Sequence, residues 1–334
     1  MITIDKFAEK LQASRIKERK EHPTNFYSFV MNGINQYGHL RMGNIDYNPT
    51  SGKEDMPVHK NGIMLGLNGP PSPNDRYFLH DHSFFELAYV YRGKFHNVVQ
   101  DEVTIYEQGD FILMAPSAVH ATYVTDLSDY LFNLLLTEDQ IMDIINIPLI
   151  KNGWIRKFVF GNYYNMRNVP DTLFFHTNDD PFVRNIMETI MLELINEQPN
   201  YLQAACCGTS MLFTVLERFL QNTENIFYYG NQQMDEIFLY IRKHFLTLTL
   251  SDLAEHFSYS TSYISHQIKK ETGLTFSETI LQLKLKLACV YLRNSTMRLY
   301  EIAEKCGFYD VSNFCKRFKS MYGITPSEYR QRIC

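Results

Sequence analysis

A six-residue phrase that occurs twice limits what this chain can fold into more than any other feature. Gly273-Leu274-Thr275-Phe276-Ser277-Glu278 returns 50 residues later as Gly323-Ile324-Thr325-Pro326-Ser327-Glu328, and Ile264, Ile268 and Lys269 return at the same offset as Phe314, Phe318 and Lys319. Upstream, Leu253-Ala254-Glu255 corresponds to Ile302-Ala303-Glu304 at an offset of 49, so the second copy holds one more residue in its turn. Self-similarity at a fixed spacing marks a duplicated structural unit.

Each copy reads as two short helices joined by a tight turn, a helix-turn-helix. Thr249-Leu250-Ser251-Asp252 sets a hydroxyl three residues before a carboxylate, which suits a helix start. Leu253, Ala254 and Phe257 share one side of the helix that follows. Ser260 is a second N-cap, and the helix it opens runs from Thr261 to about Thr272, where Gly273 can take the left-handed conformation. On that second helix Ile264 and Ile268 point inward. Ser262, Ser265, His266 and Lys269 form an exposed polar stripe at i, i+3, i+4 and i+7. In the second copy Asp310 is the N-cap, Phe314 and Phe318 the inward pair, and Ser312, Cys315, Lys316 and Lys319 the stripe, with Arg317 beside it. Small donors mixed with cations are what a helix needs to meet base edges and phosphates in a major groove. A solvated surface with ordinary lysines explains one such stripe; two at matched spacing favour DNA. From Ser277 to Leu292 a continuous helix joins the copies. If it separates the recognition helices by about one duplex turn, roughly 34 Å, both reach one face of the DNA.

These residues resemble the AraC/XylS class of bacterial transcription regulators. The resemblance covers Gln233 to Arg330, and is carried by Leu253-Ala254, Ile302-Ala303 with Gly307-Phe308, Phe314 with Phe318-Lys319, and Gly323 through Tyr329. It implies sequence-specific promoter binding by both units, often with recruitment of RNA polymerase, and it favours a homodimer. Two positions depart from the pattern. Tyr259-Ser260-Thr261 lacks the proline common at the first helical position, and Cys315 is unusual in a stripe that faces DNA.

A net charge of −5 looks wrong for a DNA binder until it is divided. From Asn231 onward there are 14 Lys and Arg against 10 Asp and Glu, a balance of +4, and the remainder stands at −9. The basic footprint is confined to the duplicated region. The six cysteines include neighbours Cys206 and Cys207 but no C-x-x-C pair. That argues against a zinc finger or a disulfide framework and suits a reducing compartment. Charged residues Asp5, Lys6, Glu9 and Lys10 interrupt any secretory segment, and no apolar run of 18 occurs, so the expectation is a cytoplasmic protein without a membrane anchor.

Ahead of the repeat, residues Ile4 to Lys20 read as a helix with Phe7 and Leu11 on one side and a solvated basic stretch from Arg15 to Lys20. Phe26 to Val30 and Ile63 to Leu67 read as strands, and Gly69 to Asn74 as a loop. Six more short strands follow: Phe84 to Tyr91, Gly93 to Val99, Val103 to Tyr106, Asp110 to Met114, His120 to Val124 and Tyr130 to Leu136. Short strands with turns at Arg92-Gly93 and Gln108-Gly109 suggest a small barrel or jelly roll. Alternation lets His80, His82 and Glu86 share one face, with His120 arriving from a later strand. The spacing resembles the first motif of metal-binding cupins, and Gly109 through His120 resembles a degraded second motif, with Ala115 and Ser117 in place of proline and glycine and Val124 in place of asparagine. Three histidines and a glutamate can hold a divalent metal. The resemblance to AraC-type effector domains, which often keep this pattern without metal, makes these four the effector pocket, with no metal and no cofactor expected. Trp154, Phe158, Phe160, Tyr163 and Tyr164 complete the barrel, line its mouth or, by preference for most of them, pack in the core. Helices are expected at Phe182 to Glu197 and Tyr201 to Gln221, separated by Pro199-Asn200, covering the barrel or forming a twofold contact.

The expected fold class is therefore α+β. An N-terminal cupin-like β-barrel (jelly roll) with flanking helices occupies residues 1–224, a linker 225–233, and an all-α C-terminal domain 234–334, its helix-turn-helix units at about 249–272 and 299–322. The expected function is a transcriptional regulator, an activator by preference, that answers a small-molecule effector. A sugar or sugar derivative is the first choice by family analogy alone. Two other readings stay open: a metal-dependent cupin enzyme or metal sensor fused to a DNA-binding module, and a constitutive regulator with no ligand. No catalytic Ser-His-Asp set and no phosphate-cradling loop is present, so the chain is not expected to be an enzyme.

Overall fold

The computed structural model describes residues 1–10, 13, 40–42, 63–68, 80–82, 84–99, 102–116, 118–124, 126, 128–145, 153–164, 166, 169–220 and 232–333. The chain divides into two units, residues 1–163 with 169–227, and residues 164–168 with 228–334.

The first unit is built on three antiparallel sheets. Strand β1 (Leu40–Met42) pairs with β3 (His80–His82). A five-stranded sheet runs in the order β10 (Thr172–Phe175), β7 (Phe111–Met114), β4 (Phe85–Arg92), β9 (Tyr130–Leu136) and β2 (Ile63–Asn68). A three-stranded sheet has the order β6 (Glu102–Glu107), β5 (Lys94–Val99) and β8 (Ala121–Tyr123). The expected barrel strands from 63 to 136 all occur.

Strand β4 shows why both faces of the large sheet are covered, since every residue in it except Arg92 is buried. Its register sets Glu86 opposite Met114 and Leu135, and Ala88 opposite Ile112 and Asn133. Ala88, Val90, Ile112, Met114 and Leu131 then close on Phe95 and Tyr106 of the small sheet, forming with Ala118 and Val124 one core cluster. The alternate residue Phe85 turns the other way and meets the ring of Phe158 edge-on at 6.1 Å.

Phe158 belongs to a helix and not to a barrel strand, and with Phe160, Tyr163 and Tyr164 it is buried, as the preferred expectation of core packing has it. Trp154–Tyr163 is helical (α3), following α1 (residues 4–10) and a helix not foreseen at all, α2 (Glu138–Ile145). On α1 the buried positions are Ile4 and Ala8, with Phe7 half-buried. The basic stretch Arg15 to Lys20 and the expected strand Phe26 to Val30 lie outside the described residues. Helix α4 (Pro181–Asn196) starts at Asp180, whose carboxylate accepts from the amides of Phe182 and Val183 at 2.9 and 3.1 Å, and Pro181 fills the first turn where an amide would lack a partner. With α5 (Tyr201–Leu216) it forms the expected pair.

The second unit is wholly helical among the described residues: α6 (Gln232–His244), α7 (Leu250–His256), α8 (Thr261–Thr272), α9 (Phe276–Asn294), α10 (Leu299–Lys305), α11 (Val311–Tyr322) and α12 (Pro326–Ile333). The repeated phrase proves to be punctuation. Gly273 and Gly323 end α8 and α11 at φ of 77°, each donating its amide to a carbonyl four residues back. Thr275 and Thr325 then open the next helices in reciprocal caps. Glu278 accepts from the Thr275 amide at 2.7 Å while Thr275 Oγ1 accepts from the Glu278 amide at 3.3 Å, and Glu328 and Thr325 repeat this at 2.7 and 3.2 Å. Around α9, Leu285, Ala288, Cys289 and Leu292 pack with Ile302, Ala303, Cys306, Phe314 and Phe318 into one core. Among the described residues no helix is long and apolar enough to cross a membrane.

Candidate functional site

Two recognition-type helices, α8 and α11, follow from the same local rules. Ser260 Oγ accepts from the Tyr263 amide at 3.1 Å, and Asp310 Oδ1 from the Asn313 amide at 2.7 Å. Ile264 and Ile268, like Phe314 and Phe318, are fully buried, which fixes the rotation of each helix about its axis. The opposite face is thereby presented outward. Ser262, His266 and Lys269 on α8 are exposed, and Ser265 is half-buried. On α11, Ser312, Lys316, Arg317 and Lys319 are exposed. Cys315 is the exception: half-buried, it packs against the core around α9, and burial pushes its thiol up. A neutral, inward-leaning thiol adds little to a polar stripe, so Ser312, Lys316, Arg317 and Lys319 carry it.

The turns hold a residue that sequence reasoning passed over. In the first unit the Tyr259 amide donates to Ala254 O, and in the second the Phe308 amide donates to Ala303 O, both at 2.9 Å. Tyr259 thus matches Phe308, and Tyr309 is the inserted residue. Its side chain is fully exposed immediately before the N-cap of α11. The change of offset from 49 to 50 was the signal for it. Tyr259 and Tyr263, by contrast, have their rings 4.7 Å apart.

The barrel holds a second candidate site. His82 on β3, Glu86 on β4 and His120, immediately before β8, are buried and place their ligand-capable atoms within 4.8 Å of one another. Nε2 of His82 lies 3.1 Å from Glu86 Oε2, and Nε2 of His120 lies 3.9 Å from the same oxygen. At the far side of each ring, Nδ1 of His82 is 2.8 Å from Phe84 O and Nδ1 of His120 is 3.0 Å from Ala118 O. The Phe84 ring stacks on His82 at 4.2 Å. The structure therefore brings together three of the four residues grouped from the sequence; the side chain of His80 lies outside the described residues.

Residues 253–332 match the family described as a helix-turn-helix domain, and residues 71–148 match the AraC-like ligand binding domain. Among curated proteins, the chain is 38% identical over 85 residues to the uncharacterised HTH-type transcriptional regulator YtdP of Bacillus subtilis, covering 25% of this chain and 11% of that one. It is 34% identical over 87 residues to the Msm operon regulatory protein of Streptococcus mutans, covering 26% and 31%. The likeness to the HTH-type transcriptional activator RhaR of an Enterobacter species is weaker but longer, 23% over 265 residues, covering 78% and 89%. The chain thus spans about a tenth and about a third of the length of the first two relatives.

Proposed function

Because this chain carries an AraC-type helix-turn-helix domain together with an AraC-like ligand-binding domain, we propose that it is a transcription regulator in which the barrel senses a small molecule and the duplicated helices bind promoter DNA. The observation that carries the reading is the matched pair α8 and α11, each fixed by a buried apolar pair and each turning serines and cations outward. Phosphate neutralisation by Lys269, Lys316, Arg317 and Lys319 makes binding steeply salt dependent. The length of the likeness to an activator, most of both chains, supports activation as the sign of regulation.

The effector on this reading is a sugar or sugar derivative. His82, Glu86 and His120 supply a cluster of buried hydrogen-bonding groups, which suits a small polyol, and His80 belongs to the same strand as His82. An effector that prefers one arrangement of the sensor shifts the whole chain toward it. The resulting coupling to DNA is reciprocal, of order ~1–3 kcal/mol. A homodimer would set four recognition helices on the promoter, with α4 and α5, which expose Phe182, Leu192 and Met211, as the contact.

Selection of the full chain against a random duplex library tests the DNA half. The expected product is a site with two contacted segments about 10 base pairs apart; no enrichment over non-specific binding at matched salt overturns it. Thermal unfolding against a panel of sugars tests the sensor half, with a raised midpoint for a particular sugar expected.

A further inference from the structure

We propose that Tyr309 is a sequence-reading residue of the second helix-turn-helix unit, its ring packing on the C5-methyl group of a thymine in the major groove. The inference rests on the regulatory reading above and adds to it a residue outside both polar stripes. Three observations carry it. The first is that the insertion is confined to one side chain. Upstream of it, the Phe308 amide donates to Ala303 O at 2.9 Å, as the Tyr259 amide does to Ala254 O in the first unit. Downstream, Asp310 caps α11 by accepting from the Asn313 amide at 2.7 Å, as Ser260 caps α8 by accepting from that of Tyr263 at 3.1 Å. Both anchors of the turn are kept. The extra residue therefore leaves the helices capped alike and adds a phenol between the anchors.

The second observation is exposure. Tyr309 is fully exposed, and no ring contact or side-chain hydrogen bond joins it to another described residue. Tyr259, by contrast, is half-buried, with its ring 4.7 Å from that of Tyr263. A ring left wholly in water forgoes the gain of burying its apolar surface, and a partner can supply that gain.

The third is position. Tyr309 stands one residue ahead of the N-cap of α11, the end from which a recognition helix reaches base edges. Val311 and Ser312, the first two residues of α11, are also exposed. A tyrosine there can offer its hydroxyl to a phosphate or its ring to a base. Its neighbours in the chain favour the base. Asp310 brings a carboxylate, which repels phosphate, and Val311 brings a second exposed apolar side chain. The thymine methyl is the apolar group that base pairs present in the major groove.

The test begins with the full chain and its Tyr309→Ala variant, selected side by side against a random duplex library. The site of the unaltered chain is expected to hold an A·T pair that the variant's site lacks, confined to one of its two segments. Replacing that thymine by uracil removes the methyl group alone. In fluorescence anisotropy titrations this should weaken the unaltered chain about fourfold, the worth of one buried methyl, and leave Tyr309→Ala unchanged. Tyr309→Phe should bind as the unaltered chain does. Identical selected sites, a uracil effect that persists in Tyr309→Ala, or a Tyr309→Phe chain as weak as Tyr309→Ala, which marks a hydroxyl contact to phosphate, would overturn the proposal. Circular dichroism checks the fold of each variant, and Tyr309→Ser replaces Tyr309→Ala should the latter not fold. If neither chain enriches any sequence, the regulatory reading fails and this inference with it; enrichment that ignores position 309 sinks this inference alone.

Discussion

The two helix-turn-helix units are copies that solve the same turn differently. After α7 the chain reverses through Ser258, a non-glycine residue at φ of 58°; after α10 it does so through Gly307 at φ of 70°. The first unit therefore carries backbone strain that the second avoids. It compensates at the start of α7, where Thr249 and Asp252 cap each other at 3.0 and 3.2 Å, while α10 has only the Arg298 amide donating to Glu301 at 2.6 Å. The outward faces differ too. Lys269 and Lys270 are the exposed cations of α8, against Lys316, Arg317 and Lys319 of α11. The copies share a scaffold and differ in turn and charge, so on the regulatory reading the second unit should be the stronger phosphate binder.

The largest break should come from the inward pairs. Phe318 has its ring 5.8 Å from Phe314, 4.6 Å from Tyr322 and 5.4 Å from Tyr329. Phe318→Ala should cost about 3–5 kcal/mol in urea unfolding of the C-terminal unit, more than Ile268→Ala. Next, Lys316→Ala should weaken binding to a mapped promoter by about 1–3 kcal/mol if it reads a base, and more than Lys269→Ala does. Equal losses in fluorescence anisotropy titrations would erase the asymmetry. Each should lower the salt slope by about 1.

Smaller effects sharpen the turns. A Cβ at position 307 would meet Lys284 Nζ at 3.0 Å, and that amine already donates to Gly307 O at 2.9 Å. Gly307→Ala should cost about 1–2 kcal/mol, whereas Ser258→Gly should be neutral or stabilising. Thr249→Ala should cost about 1 kcal/mol, with little loss from Arg298→Ala, because the Arg298 side chain is not the group that accepts. The smallest effect is that of pH. Hydrogen bonds from Thr249 hold the Asp252 carboxyl below its ordinary value, and those from Thr275 do the same for Glu278. A pKa lowered by folding adds stability above the unfolded value and loses it as pH falls through the folded one. Helix content should therefore decline on acidification through the lower carboxylate range, and Asp252→Asn should flatten the first unit's share of that decline.

How far the sequence spoke depended on whether the deciding contact was local. The capped repeats and the alternating strands were legible because each signal sits within a few residues of the element it controls. Helix α2 was legible in principle, since Glu138 and Asp139 follow Thr137, whose hydroxyl accepts from the Gln140 amide at 3.3 Å. Helix α3 was not. Its first amides, Trp154 and Ile155, are capped by Glu217 at 2.9 and 2.7 Å, more than 60 residues away, and aromatic residues fit strand and helix alike. In the barrel, alternation grouped His82 with Glu86. It could not show that the Nδ1 atoms would be tied to backbone carbonyls, because that depends on how the chain curls at Phe84 and Ala118.

Tyr309, the extra residue before α11, has one more consequence on the regulatory reading. Had the two units been identical, a single chain would read the same short word twice. An added aromatic side chain at one reading head and not at the other, on top of the different stripes, lets the two half-words of the combined site differ. Which half-word meets which unit is then fixed within one subunit, before any second subunit arrives.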